Sequence, residues 1–161
     1  MALETNRIDS FLHHRIYFDS NLFIYLVEKI APYATILREF VNAAESKELI
    51  IVTSDLTLSE VLVKPIERKN LIQQRAFLSV LRYAPRLGRI AISEEILIRA
   101  AGIRAEHKTL KLPDAIHMAT AQWAGCDDFL TNDERIPDAS DLSFGKTKIL
   151  NKPVPVQGTP R

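Results

Sequence analysis

The sequence predicts an α/β domain in three layers, α/β/α, around a central, mostly parallel sheet of four to five strands. Its 161 residues, 47% of them hydrophobic, suffice for one domain of ordinary size with a buried core. Short apolar, β-branched runs alternate with longer stretches of helical period, the pattern of strand and crossover helix. No internal repeat or change of composition marks a second domain. With 21 Lys and Arg against 20 Asp and Glu and a single Cys, disordered, collagen-like and disulfide-built chains are excluded.

The first strand is read at Arg15 to Asp19 (RIYFD), with Ser20 offering an N-cap for a helix over Asn21 to Glu28. Pro32 opens a second helix, whose stripe is Ala34, Leu37, Val41 and Ala44. Leu49 to Thr53 (LIIVT) is a continuous apolar strand, of the kind buried on both faces of a parallel sheet. Ser54 can cap a helix over Asp55 to Val63, and a second helical stretch, Pro65 to Tyr83, is closed by Pro85 and Gly88. Arg89 to Ile92 is a third strand. Ser93, with Glu94 and Glu95 in the first turn, begins a helix running to Glu106. Pro113 starts an Ala-rich helix, Asp114 to Ala124, suited to close packing on a sheet. Asp128 to Leu130 is the fourth strand and Lys148 to Leu150 a fifth. The domain is therefore drawn over 15–150, between an N-terminal extension, 1–14, and a flexible Pro-containing tail, 151–161.

No apolar run approaches the roughly 20 residues needed to span a bilayer. The first fifteen residues lack the apolar core of a secretory signal, so a cytoplasmic location is expected. Cys126 has no companion Cys and reads as a buried thiol.

Ligands of open parallel sheets bind beyond the carboxyl ends of the strands. Four acids fall there: Asp19 at the end of the first strand, Glu60 in the helix after the second, Asp114 opening the Ala-rich helix, and Asp133 just after the fourth strand. Crowded carboxylates repel and lose solvation, which a bound cation offsets. Oxygen ligands without soft partners favour Mg²⁺ or Mn²⁺ over zinc. Some of the acids also have structural readings. Asp19 could precede a cap, and Asp114 suits a first helical turn. Thr131 and Glu134 form a capping-box pattern, which leaves Asp133 without a required structural role. Glu60 lies four residues after Leu56 and three before Val63, on an apolar stripe, so a partner for it is expected.

The strings YFDSNLFIYL, TLSEVL, LPDAIHMATA and FLTNDERI, in this order and spacing, resemble the four acidic motifs of PIN-domain ribonucleases, most closely the VapC-type toxins of prokaryotic toxin-antitoxin pairs. The resemblance runs from Arg15 to Ile149. It implies a PIN-like fold, Mg²⁺- or Mn²⁺-dependent hydrolysis of RNA, homodimers and inhibition by a small cognate antitoxin. Carried over position by position, Asp19, Glu60, Asp114 and Asp133 match the acidic set, and Asn21 and Thr131 match accessory polar positions. The fourteen residues before Arg15 and the tail depart from the usual toxin pattern and bear on partners rather than chemistry.

On this reading Asp19 and Asp114 take the principal metal, and Glu60 and Asp133 a second ion or its waters. Asn21 and Thr131 hold a metal-bound water or a phosphate oxygen. His117, one turn after Asp114, could be a general base, but its apolar neighbours fit a packed or supporting histidine better. Trp123 reads as core or dimer surface. Charge is segregated: Lys64 to Arg89 holds seven basic residues and one acid, a local +6 within a total of +1. Lys64, Arg68 and Lys69 are therefore candidates for contact with RNA phosphates or antitoxin carboxylates, against the plain alternative of a solvated helix.

Other classes fit less well. A haloacid-dehalogenase-type phosphatase wants a second Asp where Asn21 stands, and a response-regulator receiver lacks its phosphoacceptor at Ile92-Ser93. A catalytically weak or inactive PIN-like module that binds RNA or protein is the remaining alternative, which retention of all four acids disfavours.

Overall fold

The computed structural model describes residues 6–137 and 146–149. Five strands form one sheet: β1 (Arg15–Phe18), β2 (Ile50–Ser54), β3 (Leu87–Ile90), β4 (Asp128–Thr131) and β5 (Lys146–Ile149). Their order is β3-β2-β1-β4-β5, and every neighbouring pair is parallel. The chain winds outward from β1 to β3, then returns to the other side of β1 to lay down β4. The β1/β4 boundary is thus the switch point where such sheets open a crevice.

Alternation along β1 divides the core between the two faces of the sheet. Ile16 and Phe18 point to one side, against α2 (Ser20–Val27), α3 (Tyr33–Glu45), α4 (Leu56–Glu67) and α5 (Leu71–Tyr83). Tyr17 points to the other, with Phe129, against α6 (Glu94–Glu106) and the Ala-rich α7 (Leu112–Trp123). The small side chains Ala115, Ala119 and Ala121 let α7 lie close to the strands, as the sequence predicts. Cys126 is buried, and its thiol is pushed up to about 12 by desolvation, so it stays an inert thiol.

Several boundaries differ from the sequence reading. The helical stretch expected from Pro65 to Tyr83 is two elements, because α4 runs through Pro65 to Glu67. The chain turns at Lys69, whose φ of 52° is left-handed, and Asn70 caps α5 by accepting a hydrogen bond from the Gln73 amide at 3.0 Å. Pro65 is tolerated near the C-terminal end of α4, and its carbonyl is reused by the Asn70 amide at 2.9 Å. The third strand begins two residues earlier than read and includes Gly88, which pairs with Val52. The cap of α2 is Asp19, not Ser20. Thr131 and Glu134 do not open a helix. Thr131 ends β4 and its hydroxyl accepts from the Asp133 amide in a tight turn.

Residues preceding Arg15 include a short helix, α1 (Asn6–Asp9), followed by Phe11, which is buried in the core against Phe40 with ring centroids 5.1 Å apart, edge to face. Burying one such ring is worth about 1.5–3 kcal/mol, enough to dock this segment. The stretches 1–5 and 151–161 lie outside the described residues, as does Leu150. Among the described residues no helix is long and apolar enough to cross a membrane.

Candidate active site

Asp19 follows β1 and is 5% exposed. Its two oxygens are separately fixed: Oδ1 accepts from the Ser20 amide at 2.8 Å and Oδ2 from the Thr131 hydroxyl at 2.7 Å. Thr131 is on the adjacent strand β4, so the switch point itself aims this carboxylate. The same hydroxyl accepts from the Asp133 amide at 3.0 Å, which ties the fourth acid's backbone to the first acid.

Asp114 is in the first turn of α7, where the helix dipole favours its negative charge. Its carboxyl is nevertheless pushed above the ordinary Asp value, by burial first and then by the charges of Asp133 and Asp19. These three acids, distant in sequence, therefore share one field.

Glu60 is in α4, partly buried, and its expected partner is His117 of α7, whose Nε2 donates to Oε2 at 2.7 Å. Nε2 also stands 3.8 Å from Asp19 Oδ1, so the imidazole bridges two of the acids. His117 is 1% exposed, and its Nδ1 lies 2.6 Å from the Tyr17 hydroxyl. Burial of Tyr17 raises its pKa well above the usual phenol value, so it stays protonated. It can donate to a neutral imidazole or accept from a charged one. Burial alone would lower the pKa of His117, but the bond to Glu60 and the charges of Asp19 and Asp114 raise it overall. Burial likewise opposes ionisation of Glu60, and the His117 bond outweighs it, holding this carboxyl below its ordinary value. His117 is thus a buried, doubly hydrogen-bonded residue that supports Glu60.

Asp133 is held by Arg135, which pulls its pKa down through hydrogen bonds that outweigh partial burial. Tyr17 and Arg135 are the two contributors the sequence reading missed. An Asp-x-Arg spacing in a turn was the available signal for Arg135. Tyr17 was hidden in an apolar strand.

Asn21 Oδ1 is a buried acceptor with no hydrogen-bond partner among the described residues. Together with the mutual repulsion at Asp114 and an all-oxygen donor set, this orphaned oxygen fits a hard divalent cation. As the side chains stand, no three His, Cys, Asp or Glu groups among the described residues converge to chelate one ion. Glu60 and Asp133 are each turned to a nitrogen partner.

The basic candidates extend from the same helix as Glu60. Lys64 is one turn further along α4 and Arg68 one turn beyond that, both exposed, with Lys69 in the following turn. Arg89, in the same basic segment, is bound to Asp55 at 2.6 Å. Trp123 is 44% exposed and donates to Glu95 at 3.1 Å, so it is surface rather than core. A cavity of about 380 Å³ between α3 and α5 is lined by none of the four acids.

An α/β fold with acids gathered at its switch point defines a class, and the PIN domain family model matches residues 16–142. The chain belongs to the PIN domain family. Among solved structures it is similar to a toxin-antitoxin complex from Klebsiella pneumoniae, at 31% identity and TM-score 0.52, covering 75% of this chain and 88% of that one. It shares the fold of VapC20 from Mycobacterium tuberculosis, a toxin described as cleaving the sarcin-ricin loop, at 19% identity and TM-score 0.61, covering 80% and 95%. VapBC2 from Rickettsia felis, solved bound to a promoter DNA fragment, matches at 19% identity and TM-score 0.59, covering 76% and 93%. No curated relative matches the chain.

Proposed function

We propose that this protein is a metal-dependent endoribonuclease, the toxin of a VapBC-type toxin-antitoxin pair. The observation that carries the reading is the field shared by Asp19, Asp114 and Asp133, with the orphaned oxygen of Asn21 two residues after Asp19, within a PIN domain. Asp19 and Asp114 would hold the principal Mg²⁺ or Mn²⁺, with Glu60 and Asp133 serving a second ion or bound waters. A bound divalent ion would lower the pKa of a water and neutralise charge on the scissile phosphate. The hydrolysis adds that water across a P–O bond, leaving a phosphate monoester and an alcohol.

The chain's own contribution is orientation. Thr131 and the Ser20 amide fix both oxygens of Asp19 before any ligand arrives, and His117, backed by Tyr17, fixes one oxygen of Glu60. Preset ligands of this kind avoid reorganisation during the reaction. Asn21 Oδ1 would receive a donor from a metal-bound water. Lys64, Arg68 and Lys69 would meet the RNA backbone or the antitoxin.

A small antitoxin as partner is supported by the Klebsiella complex, at 31% identity. A homodimer rests on the family resemblance, and the exposed apolar residues Val63, Ile66, Leu71 and Ile72 along α4 and α5 are available to either partner. A cytoplasmic location goes with an RNA substrate.

The test is cleavage of cellular RNA by the purified protein in Mg²⁺ or Mn²⁺, with and without EDTA, alongside Asp19→Asn and Asp114→Asn. Cleavage should stop with chelation and fall by at least about a hundredfold in either variant. Activity that survives chelation or both substitutions refutes the site. A folded protein that binds Mn²⁺ and RNA without cutting is instead the inactive binding module.

A further inference from the structure

Arg135 lies outside the acidic set, and the chemistry above gives it no task. Its contacts with Asp133 are unusually complete. Nη2 donates to Oδ2 at 2.6 Å, Nε donates to Oδ1 at 2.9 Å and to Oδ2 at 3.2 Å, and the Arg135 amide donates to Oδ1 at 3.0 Å. A carboxylate offers about four lone-pair directions, and these contacts occupy both oxygens. Asp133 can ligate a cation only when the guanidinium gives way. The pair is asymmetric in a way that permits this: the Arg135 side chain is 65% exposed and that of Asp133 only 18%. Exposed ion pairs are weak and screened, so the arginine is the member free to leave.

Where it would go is set by its surroundings. Asp114 and Asp19 both feel the charge of Arg135, so the guanidinium borders the acids at which a phosphodiester would be cut. Its planar fork matches two phosphate oxygens as well as it matches a carboxylate. We infer that Arg135 is a substrate-binding residue held in reserve: a divalent cation taken up by Asp133 releases the guanidinium, which then grips the phosphate of the RNA backbone. The inference rests on the ribonuclease reading. It goes further in making the metal and Arg135 compete for Asp133, so that metal binding favours RNA binding through one side chain. A carboxylate from a protein partner is the rival occupant, and it is disfavoured because it would enter beside Asp19 and Asp114 without a phosphate's several oxygens to share a bound cation.

Two measurements on the full chain test this. In EDTA, where no metal acts, anisotropy of a fluorescein-labelled single-stranded RNA 20-mer of mixed sequence is followed for wild type, Arg135→Gln, Asp133→Asn and the double variant. Arg135→Gln should cost less than about twofold in the wild type, where Asp133 already holds the arginine, and about tenfold in Asp133→Asn, where it is free. Separately, Mn²⁺ titration followed by electron paramagnetic resonance should show Arg135→Gln binding the ion several-fold more tightly than wild type, since the competitor is gone. Equal costs of Arg135→Gln in the two backgrounds overturn the reserve model, leaving ordinary long-range charge. No cost in either background overturns RNA as the ligand and turns attention to a partner's carboxylate. Mn²⁺ binding that is unchanged or weaker overturns the competition at Asp133. A wild type that neither binds Mn²⁺ nor cuts RNA refutes the ribonuclease reading instead, and the EDTA cycle still reports on Arg135. Both residues lie in the turn after β4, and circular dichroism of each variant confirms the fold.

Discussion

The two edges of the sheet differ in how completely they satisfy their polar groups. At the amino ends of the strands, Asp128 is buried and bound by His14 Nδ1 at 2.7 Å, while Asp127 accepts from the Arg15 amide at 2.8 Å. Arg15 itself closes on the Ala124 carbonyl at 2.8 Å. Each of these charges has a near partner, and together they fasten the segment before β1 to the start of β4. At the carboxyl ends, Asp114 is pushed up by burial and then by its acidic neighbours, and Asn21 keeps an oxygen without a partner among the described residues. Burying a polar group without compensation costs stability. An edge that retains such groups is therefore where a ligand is to be sought, and an edge that satisfies them is scaffold.

The sharpest way to break this contrast is to loosen the functional edge without removing an acid. Thr131→Val deletes the donor to Asp19 Oδ2 and should lower RNA cleavage by about 10- to 100-fold, read as turnover at saturating Mg²⁺. An unchanged rate would mean that Asp19 needs no aiming. The opposite edge should respond in stability alone. Asp128→Asn weakens a charge-assisted bond and should cost about 1.5–3 kcal/mol in urea unfolding, with turnover per folded molecule unaltered. Loss of turnover there would show that the two edges are coupled.

A smaller effect is expected with pH in the metal-free protein. His117 has a raised pKa in the fold, so its contribution is fully present below the ordinary histidine value of 6.5 and is lost as pH rises through the folded value. Glu60 has a lowered pKa, so its contribution is present above 4.5 and is lost as pH falls through the folded value. The pair should therefore stabilise most between about pH 4.5 and 6.5. Glu60→Gln should flatten both limbs of stability against pH, and a profile unchanged by that substitution would deny the pair its role. The smallest effect is one of sign. Asp114 has a raised pKa, so its charge opposes folding above that value, and Asp114→Asn should raise the melting temperature of the metal-free protein at pH 7 while abolishing cleavage. A fall in melting temperature would show that Asp114 has a structural task.

Much of this molecule was legible from its residues. The run LIIVT announces a strand buried on both faces, and acids placed just after such runs must lie at the ligand edge of a parallel sheet. What escaped reading has physical causes. Lys69 adopts a left-handed turn without glycine, so the break between α4 and α5 is marked in the sequence only by the Asn70 cap, and Pro65 is the more conspicuous boundary signal. Gly88 looked like a terminator, yet pairing with Val52 holds it in β3.

The sequence by itself determined the layers and pointed to the carboxyl ends of the strands, with four candidate acids, because hydrophobic period and order along the chain are local properties. It also required a partner for Glu60. Only the tertiary structure decided that this partner is His117, 57 residues later, backed by Tyr17, which lies 100 residues before His117 in the chain. It alone set the grip of Arg135 on both oxygens of Asp133. Hydrogen-bond partners are chosen by distance and direction in space, and a linear pattern contains neither.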